Sequence, residues 1–216
     1  TKRIFIEENF FITLNNYTNL HNDYPLMMPS FAVSFAQFLN GWNIIFPKIS
    51  IFFLYMPPLI YSLKIFDNLF SKVFLILTFI LLNEFLFNGY IDGLIAIYFS
   101  FSLYLSYDIF IKKNKGVINI AICLFFLVIL SLLKNEGFVL TFIIVSFALI
   151  YNILNFKRIS FLDKSFVIYF SLIPYLIWKL ICIKNGIEND LVNEGSLERF
   201  LSLKIFLENI WVIFKS

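Results

Sequence analysis

The chain has 216 residues, of which 60% are hydrophobic and only 14% charged, and its mean hydropathy is +0.85. This composition excludes an ordinary soluble domain and predicts an all-α, polytopic transmembrane helical bundle. The net charge of +3 does not indicate a nucleic-acid partner, because in a membrane protein the division of Lys and Arg between loops carries the information.

The N-terminal part, residues 1–24, is polar and contains several Asn, so we interpret it as the tail of a first extracytoplasmic loop. Residues 25–216 form the predicted transmembrane domain. Its first apolar piece, residues 30–40, has too few residues to span a bilayer, and we expect a short re-entrant or surface-lying (juxtamembrane) helix there.

About six full spans follow. They are predicted at residues 49–65, 69–87, 90–111, 117–133, 137–155 and 165–183. Pro57 and Pro58 interrupt the backbone hydrogen bonds of the first span and predict a kink. Residues 184–201 are expected to be an outer loop. Residues 202–216 are expected to begin a truncated further segment, and we interpret the chain as a fragment.

Alternate loops differ in charge. Residues 64–72, 108–115 and 157–164 together carry eight Lys or Arg, whereas the opposite set carries four, Lys48, Lys134, Lys184 and Arg199. The positive-inside rule assigns the first set to the cytoplasm. Glu84, Asp92 and Glu136 are therefore expected to share the outer face.

Asp92 stands at the start of a long apolar helix, where a carboxylate beside hydrocarbon is costly. Gly89 and Gly93 lie four apart and favour close approach of another helix, which would direct Asp92 to a helix junction. One interpretation is a carboxylate that reaches headgroup water. The other is a group that binds a metal, a phosphate-bound cation or a sugar hydroxyl. Glu84, which closes the preceding span, has the same two interpretations.

Two further polar segments are candidate binding sites. Residues 134–137, Lys-Asn-Glu-Gly, predict a tight turn between two spans. This is either a solvated turn with neutralised charges or a phosphate site in which Lys134 supplies a point charge. His21, Asp23 and Tyr24 form either a polar entry to the membrane or part of a divalent-cation site, although two ligands fall short of a metal signature.

Four motifs in this order resemble the bacterial membrane glycosyltransferases of the GT-C type. They are HNDYPLMMP at 21–29, GYIDGLIA at 89–96, LLKNEGFVL at 132–140 and, more weakly, WKLICIKNGIENDL at 178–191. Enzymes of this type take sugars from polyprenyl-phosphate donors at the outer face of the inner membrane. The resemblance implies a GT-C fold and a multi-pass protein of the bacterial inner (cytoplasmic) membrane, with its active site facing the periplasm or exterior.

The resemblance also implies site residues. The catalytic Asp of the first outer loop would lie before Thr1, which leaves the general base unassigned. The candidates for binding the donor or a metal are His21, Asp23, Tyr24 and Asp92. Of these, Asp23 and Asp92 are the candidate metal ligands. Lys134 and Glu136 are the candidates for phosphate binding. The expected cofactor is at most a divalent cation, Mg²⁺, Mn²⁺ or Zn²⁺.

The implied reaction is inverting transfer of a sugar to a glycan, lipid or protein acceptor, with a carboxylate as general base. The expected partners are the polyprenyl-phosphate sugar donor, that acceptor and membrane lipids. Three other functions stay open. A transporter or flippase for lipid-linked saccharides predicts internal repeats and charges near mid-membrane. A polymerase or ligase predicts a large outer loop rich in Arg and His, and a structural subunit predicts no site.

Overall fold

A computed structural model describes residues 5–6, 24–25, 27–81, 91–113, 116–156 and 164–187. Every regular element in these ranges is helical, which confirms the predicted all-helical chain for the described residues. The elements are α1 (Met27–Phe38), α2 (Ile45–Ile65), α3 (Leu69–Leu81), α4 (Asp92–Phe110), α5 (Val117–Leu133), α6 (Asn135–Phe156), a 3₁₀ helix (Lys164–Leu172) and α7 (Ile173–Lys184).

Four helical segments in the described ranges are long and apolar enough to cross a membrane. They are Ile45–Ile65, Asp92–Phe110, Asn135–Leu154 and Phe166–Lys184. Two other predicted spans correspond to shorter apolar helices, Leu69–Thr78 and Val117–Leu133. The structure therefore supports four of the six predicted spans by length. For residues 69–87, the part beyond Leu81 lies outside the described residues.

The short helix α1 agrees with the prediction that residues 30–40 do not span a bilayer. It has 12 residues and buries Ala32, Val33 and Ala36. The Phe35 ring stacks on Phe53 of α2 with the ring centroids 5.5 Å apart. Small buried residues on one face let α1 pack closely against its neighbours.

Helix α5 lies at the centre of the bundle. It contacts α1, α4, α6, the 3₁₀ helix and α7. Its buried residues include Phe126, Leu127 and Leu130, each at most 2% exposed. With 17 residues it is about 25 Å long, short of the ~30 Å hydrocarbon core. Because neighbouring helices cover it, its ends need not reach both membrane surfaces.

The directions of the helices follow from their contacts. Tyr98 contacts Leu54, and Tyr61 contacts Phe101 further along both helices, so α2 and α4 run in the same direction. Ser106 of α4 lies 3.5 Å from Cys123 of α5 across an antiparallel pair. The start of α4 and the end of α5 therefore lie at one end of the bundle.

The two prolines of α2 lie inside a continuous helix. One backbone carbonyl that loses its helical hydrogen bond because of them receives a hydrogen bond from a neighbouring helix instead. Pro58 has no N–H to donate to the carbonyl of Leu54, its partner four residues earlier. The hydroxyl of Tyr98 donates a 2.7 Å hydrogen bond to that carbonyl from α4. Tyr98 is fully buried. In an apolar bundle an unsatisfied carbonyl is costly, so this bond fixes α4 against α2.

The last predicted span, residues 165–183, is not a single α-helix. It begins as the 3₁₀ helix and becomes α-helical at Ile173, where Pro174 occupies the first turn of α7. Proline suits that position because its missing N–H would have no partner inside the new helix. The change of helix type thus has a local cause in the sequence.

We predict that Tyr98→Phe lowers the free energy of unfolding by about 1 kcal/mol, because the Leu54 carbonyl loses its donor. In a Pro58→Ala background the restored N–H at position 58 can bond to the same carbonyl, so Tyr98→Phe should then have little effect. Tyr104→Phe on the same helix is the control, since Tyr104 is 41% exposed. Unfolding in mixed detergent micelles gives the double-mutant cycle. Equal losses in both backgrounds would contradict this assignment.

Candidate functional site

A single residue connects α5 and α6. Helix α5 ends at Leu133, Lys134 is extended (φ −163°, ψ 163°), and α6 begins at Asn135. The four-residue turn predicted at 134–137 is therefore wrong in length: Asn135, Glu136 and Gly137 are already helical. Such a short connector requires the two helices to approach each other closely.

Gly137 makes that close approach possible. A Cβ at this position would overlap the carbonyl oxygen of Leu130 on α5, a backbone atom that cannot swing away. One turn further on, the buried hydroxyl of Thr141 lies 2.9 Å from the Gly137 carbonyl and 3.4 Å from that of Leu127. The sequence suggested that Gly137 provides the backbone flexibility of a tight turn. In the structure, its missing side chain instead leaves space for α5 and α6 to pack closely.

Lys134 brings three of the sequence motifs together. Its Nζ lies 3.5 Å from Oδ1 of Asp92 and 3.4 Å from Oε1 of Glu136. The same ammonium lies over the ring of Tyr24, 5.6 Å from its centroid, at a distance typical of a cation–π contact. We call Tyr24, Asp92, Lys134 and Glu136 the Lys134 cluster. Asp92 and Glu136, which the sequence predicted to share one face, do lie together.

The charges of the Lys134 cluster match the helix ends that carry them. Asp92 and Glu136 occupy the first turns of α4 and α6, and Lys134 follows the last turn of α5. Helix N-termini favour anions and C-termini favour cations. Helix electrostatics alone therefore account for the signs of these charges, so the signs by themselves do not indicate a ligand.

The Lys134 ammonium stays protonated at physiological pH. Partial burial acts to lower its pKa, but the carboxylates of Glu136 and Asp92 outweigh this, and the net pKa is raised above that of an ordinary lysine. A lysine whose pKa is higher in the folded state than in the unfolded state contributes its full stabilisation at pH below its unfolded-state pKa, about 10.4. That contribution is lost only as pH rises through the folded-state pKa. The cluster is therefore not a switch near neutral pH.

The two carboxylates are accessible to a ligand. The side chains of Asp92 and Glu136 are 70% and 55% exposed, whereas that of Lys134 is 24% exposed. Exposed ion pairs contribute only about 0–1 kcal/mol to stability. The carboxylates can thus exchange their contact with Lys134 for a contact with a bound molecule at little cost.

Tyr175 holds the start of α6, and the sequence did not single it out. Its hydroxyl donates a 2.9 Å hydrogen bond to Oδ1 of Asn135, the residue after Lys134. Its ring stacks on Phe138 with centroids 4.0 Å apart, and the Lys179 ammonium lies 5.6 Å from the same ring. The signal available in the sequence is its position one turn before Trp178 and Lys179, and such a group of aromatic and basic residues at a helix end indicates only an anchor at the membrane interface.

Other predicted site residues lie outside the described part of the chain. These are His21, Asp23 and Glu84, together with Gly89. Within the described ranges, no group of three or more His, Cys, Asp or Glu is arranged to hold a metal ion. Asp92 and Glu136 supply two carboxylates with an ammonium beside both, which does not fit a divalent cation. We therefore derive no step through a metal.

Comparisons with protein-family models, curated proteins and solved structures give no match to this chain. The geometry of the Lys134 cluster and the sequence motifs are therefore the basis for any functional proposal.

We predict that Gly137→Ala destabilises the protein by about 2 kcal/mol, because its Cβ meets the Leu130 carbonyl. Helix propensity alone predicts the opposite sign, since Ala is favoured over Gly inside helices by about 1 kcal/mol. Gly41→Ala, between α1 and α2, is the control for an added Cβ in open space, because the nearest atom to that Cβ would be 4.0 Å away. Thermal or detergent unfolding of both variants decides the sign. A stabilised Gly137→Ala variant would refute the close approach.

Proposed function

We propose that the chain is an integral membrane glycosyltransferase of the GT-C type, located in the bacterial inner membrane. It would transfer a sugar, with inversion, from a polyprenyl-phosphate donor to a glycan, lipid or protein acceptor of the cell envelope. The reaction would take place at the end of the bundle that carries the Lys134 cluster, facing the periplasm or exterior.

The observation that carries this proposal is the Lys134 cluster itself. One ammonium contacts Asp92, Glu136 and the ring of Tyr24, which come from three separate motifs of the resemblance. A positive point charge suits the phosphate of a lipid-linked donor, and the exposed carboxylates suit sugar hydroxyls. Four apolar helices long enough to cross a bilayer, found among the described residues, provide a scaffold for the donor's tail.

In the proposed reaction the acceptor hydroxyl oxygen forms a bond to the anomeric carbon as the bond from that carbon to the phosphate oxygen breaks. The hydroxyl proton passes to a carboxylate, and polyprenyl phosphate leaves as an anion. Lys134 would stabilise the charge that develops on the leaving phosphate. Asp92 would accept hydrogen bonds from the donor sugar. The described residues do not assign the general base.

We predict that Asp92→Asn and Lys134→Met each abolish sugar transfer from a polyprenyl-phosphate donor while membrane abundance stays unchanged. The carboxylate partners of Lys134 are exposed, so these ion pairs contribute little to stability and a loss of activity reports on the reaction. Asp67→Asn, an exposed carboxylate after α2, is the control and should keep full activity.

Two outcomes would contradict the proposal. Wild-type activity in Asp92→Asn would remove Asp92 from the site. Movement of a lipid-linked saccharide across the membrane without any transfer would instead identify a transporter or flippase.

The proposed orientation predicts opposite labelling of two introduced cysteines. A membrane-impermeant thiol reagent added from outside should modify Asp92→Cys and leave Lys113→Cys unmodified, because the two positions lie at opposite ends of α4. The native thiols of Cys123 and Cys182 are buried and give a low background. Labelling of position 113 alone would place the Lys134 cluster in the cytoplasm and overturn the proposed location of the reaction.

A further inference from the structure

A groove of about 240 Å³ lies between α4 and α6, away from the Lys134 cluster. Its walls include Leu103, Tyr107 and Phe110 from α4, and Ile144, Ala148 and Tyr151 from α6. The lining residues on this side run from Leu103 to Ile111, the residue that follows α4, and are eight positions apart, so the groove runs about 12 Å along the helix. Its walls are almost entirely apolar.

The groove opens toward the surface that would face lipid. Leu103, Tyr107 and Phe147 on its walls are 50%, 46% and 69% exposed. Both α4 and α6 are long and apolar enough to cross a bilayer, so this surface meets hydrocarbon rather than water. A length of about 12 Å is close to the hydrocarbon depth of one leaflet, half of the ~30 Å core. A single acyl chain is therefore the occupant that this environment supplies.

A basic group stands at the end of the groove nearest the membrane surface. Lys112 directly follows the lining residue Ile111, and its ammonium lies 5.6 Å from the ring centroid of Tyr107, a groove residue. The ammonium also lies 3.7 Å from Oδ1 of Asp108, while the Lys112 side chain remains 55% exposed. An ammonium has three donors, so it can bind a phosphate oxygen while it keeps its contact with Asp108.

We propose that this groove binds one anionic phospholipid from the adjoining leaflet. One acyl chain lies between α4 and α6, and the headgroup phosphate contacts Lys112. Basic side chains beside clefts between membrane helices are typical of sites for anionic lipid headgroups. Tyr107 and Tyr151 also line the groove, and tyrosines are enriched where membrane helices meet the headgroup region. This site is independent of the proposed sugar transfer, because it lies at the other end of α4.

The test compares lipids retained by the full chain. The protein is released from bilayers of equal parts phosphatidylglycerol and phosphatidylcholine, and the retained lipid is counted by native mass spectrometry. We expect one phosphatidylglycerol per chain. Lys112→Gln should weaken the preference for phosphatidylglycerol about fivefold. Asp108→Asn should strengthen it, because the competing carboxylate is gone. Leu103→Trp should fill the groove and abolish retention.

Matched controls separate this site from general lipid contact. Leu176→Trp changes a leucine of the same exposure, 50%, on α7, away from the groove. Lys64→Gln removes a lysine from the last turn of α2, which is not a groove residue. Both controls should retain phosphatidylglycerol as the wild type does. Equal retention of the two lipids, or equal losses in the control variants, would overturn the proposal.

Discussion

The contact between Gly137 and the Leu130 carbonyl is the constraint on which the candidate site depends. It brings α6 against α5 so closely that a single extended residue, Lys134, connects them. Lys134 then has no freedom to move away from the end of the bundle. Its ammonium meets Glu136 from the next turn and Asp92 from α4. A looser connection would separate the charges that the short connector holds together.

The interior of the bundle follows a second constraint, which is that buried backbone groups must find partners inside the protein. Pro58 leaves the Leu54 carbonyl without its usual helical donor, and Tyr98 supplies one from another helix. The hydroxyl of Ser131 on α5 lies 2.8 Å from the Val128 carbonyl of its own helix and 3.3 Å from the Ser171 carbonyl of the 3₁₀ helix, so it also reaches a neighbouring helix. These few polar contacts specify which helices pair, since apolar surfaces alone match many arrangements.

The two ends of α4 have different chemistry. Asp92, at its start, belongs to a cluster with exposed carboxylates and an ammonium that stays protonated. At its other end, Lys112 stands beside an almost entirely apolar groove. The first arrangement supports binding of a polar group outside hydrocarbon, as a sugar phosphate requires. The second supports binding of a lipid chain within it. One helix thus carries both proposed sites, at its opposite ends.

The sequence by itself determined the helical class, the apolar segments and the break between α5 and α6, because these depend on composition and on local signals such as the polar residues that begin at Lys134. It also pointed to Asp92, Lys134 and Glu136 as charges of interest. Only the tertiary structure decided that Lys134 joins them, that Gly137 is a packing contact and that Tyr175 holds Asn135. The reason is physical, because each of these contacts either links residues distant in sequence or depends on how closely two helices pack. Local propensity and periodicity determine neither the long-range contacts nor the helix spacing.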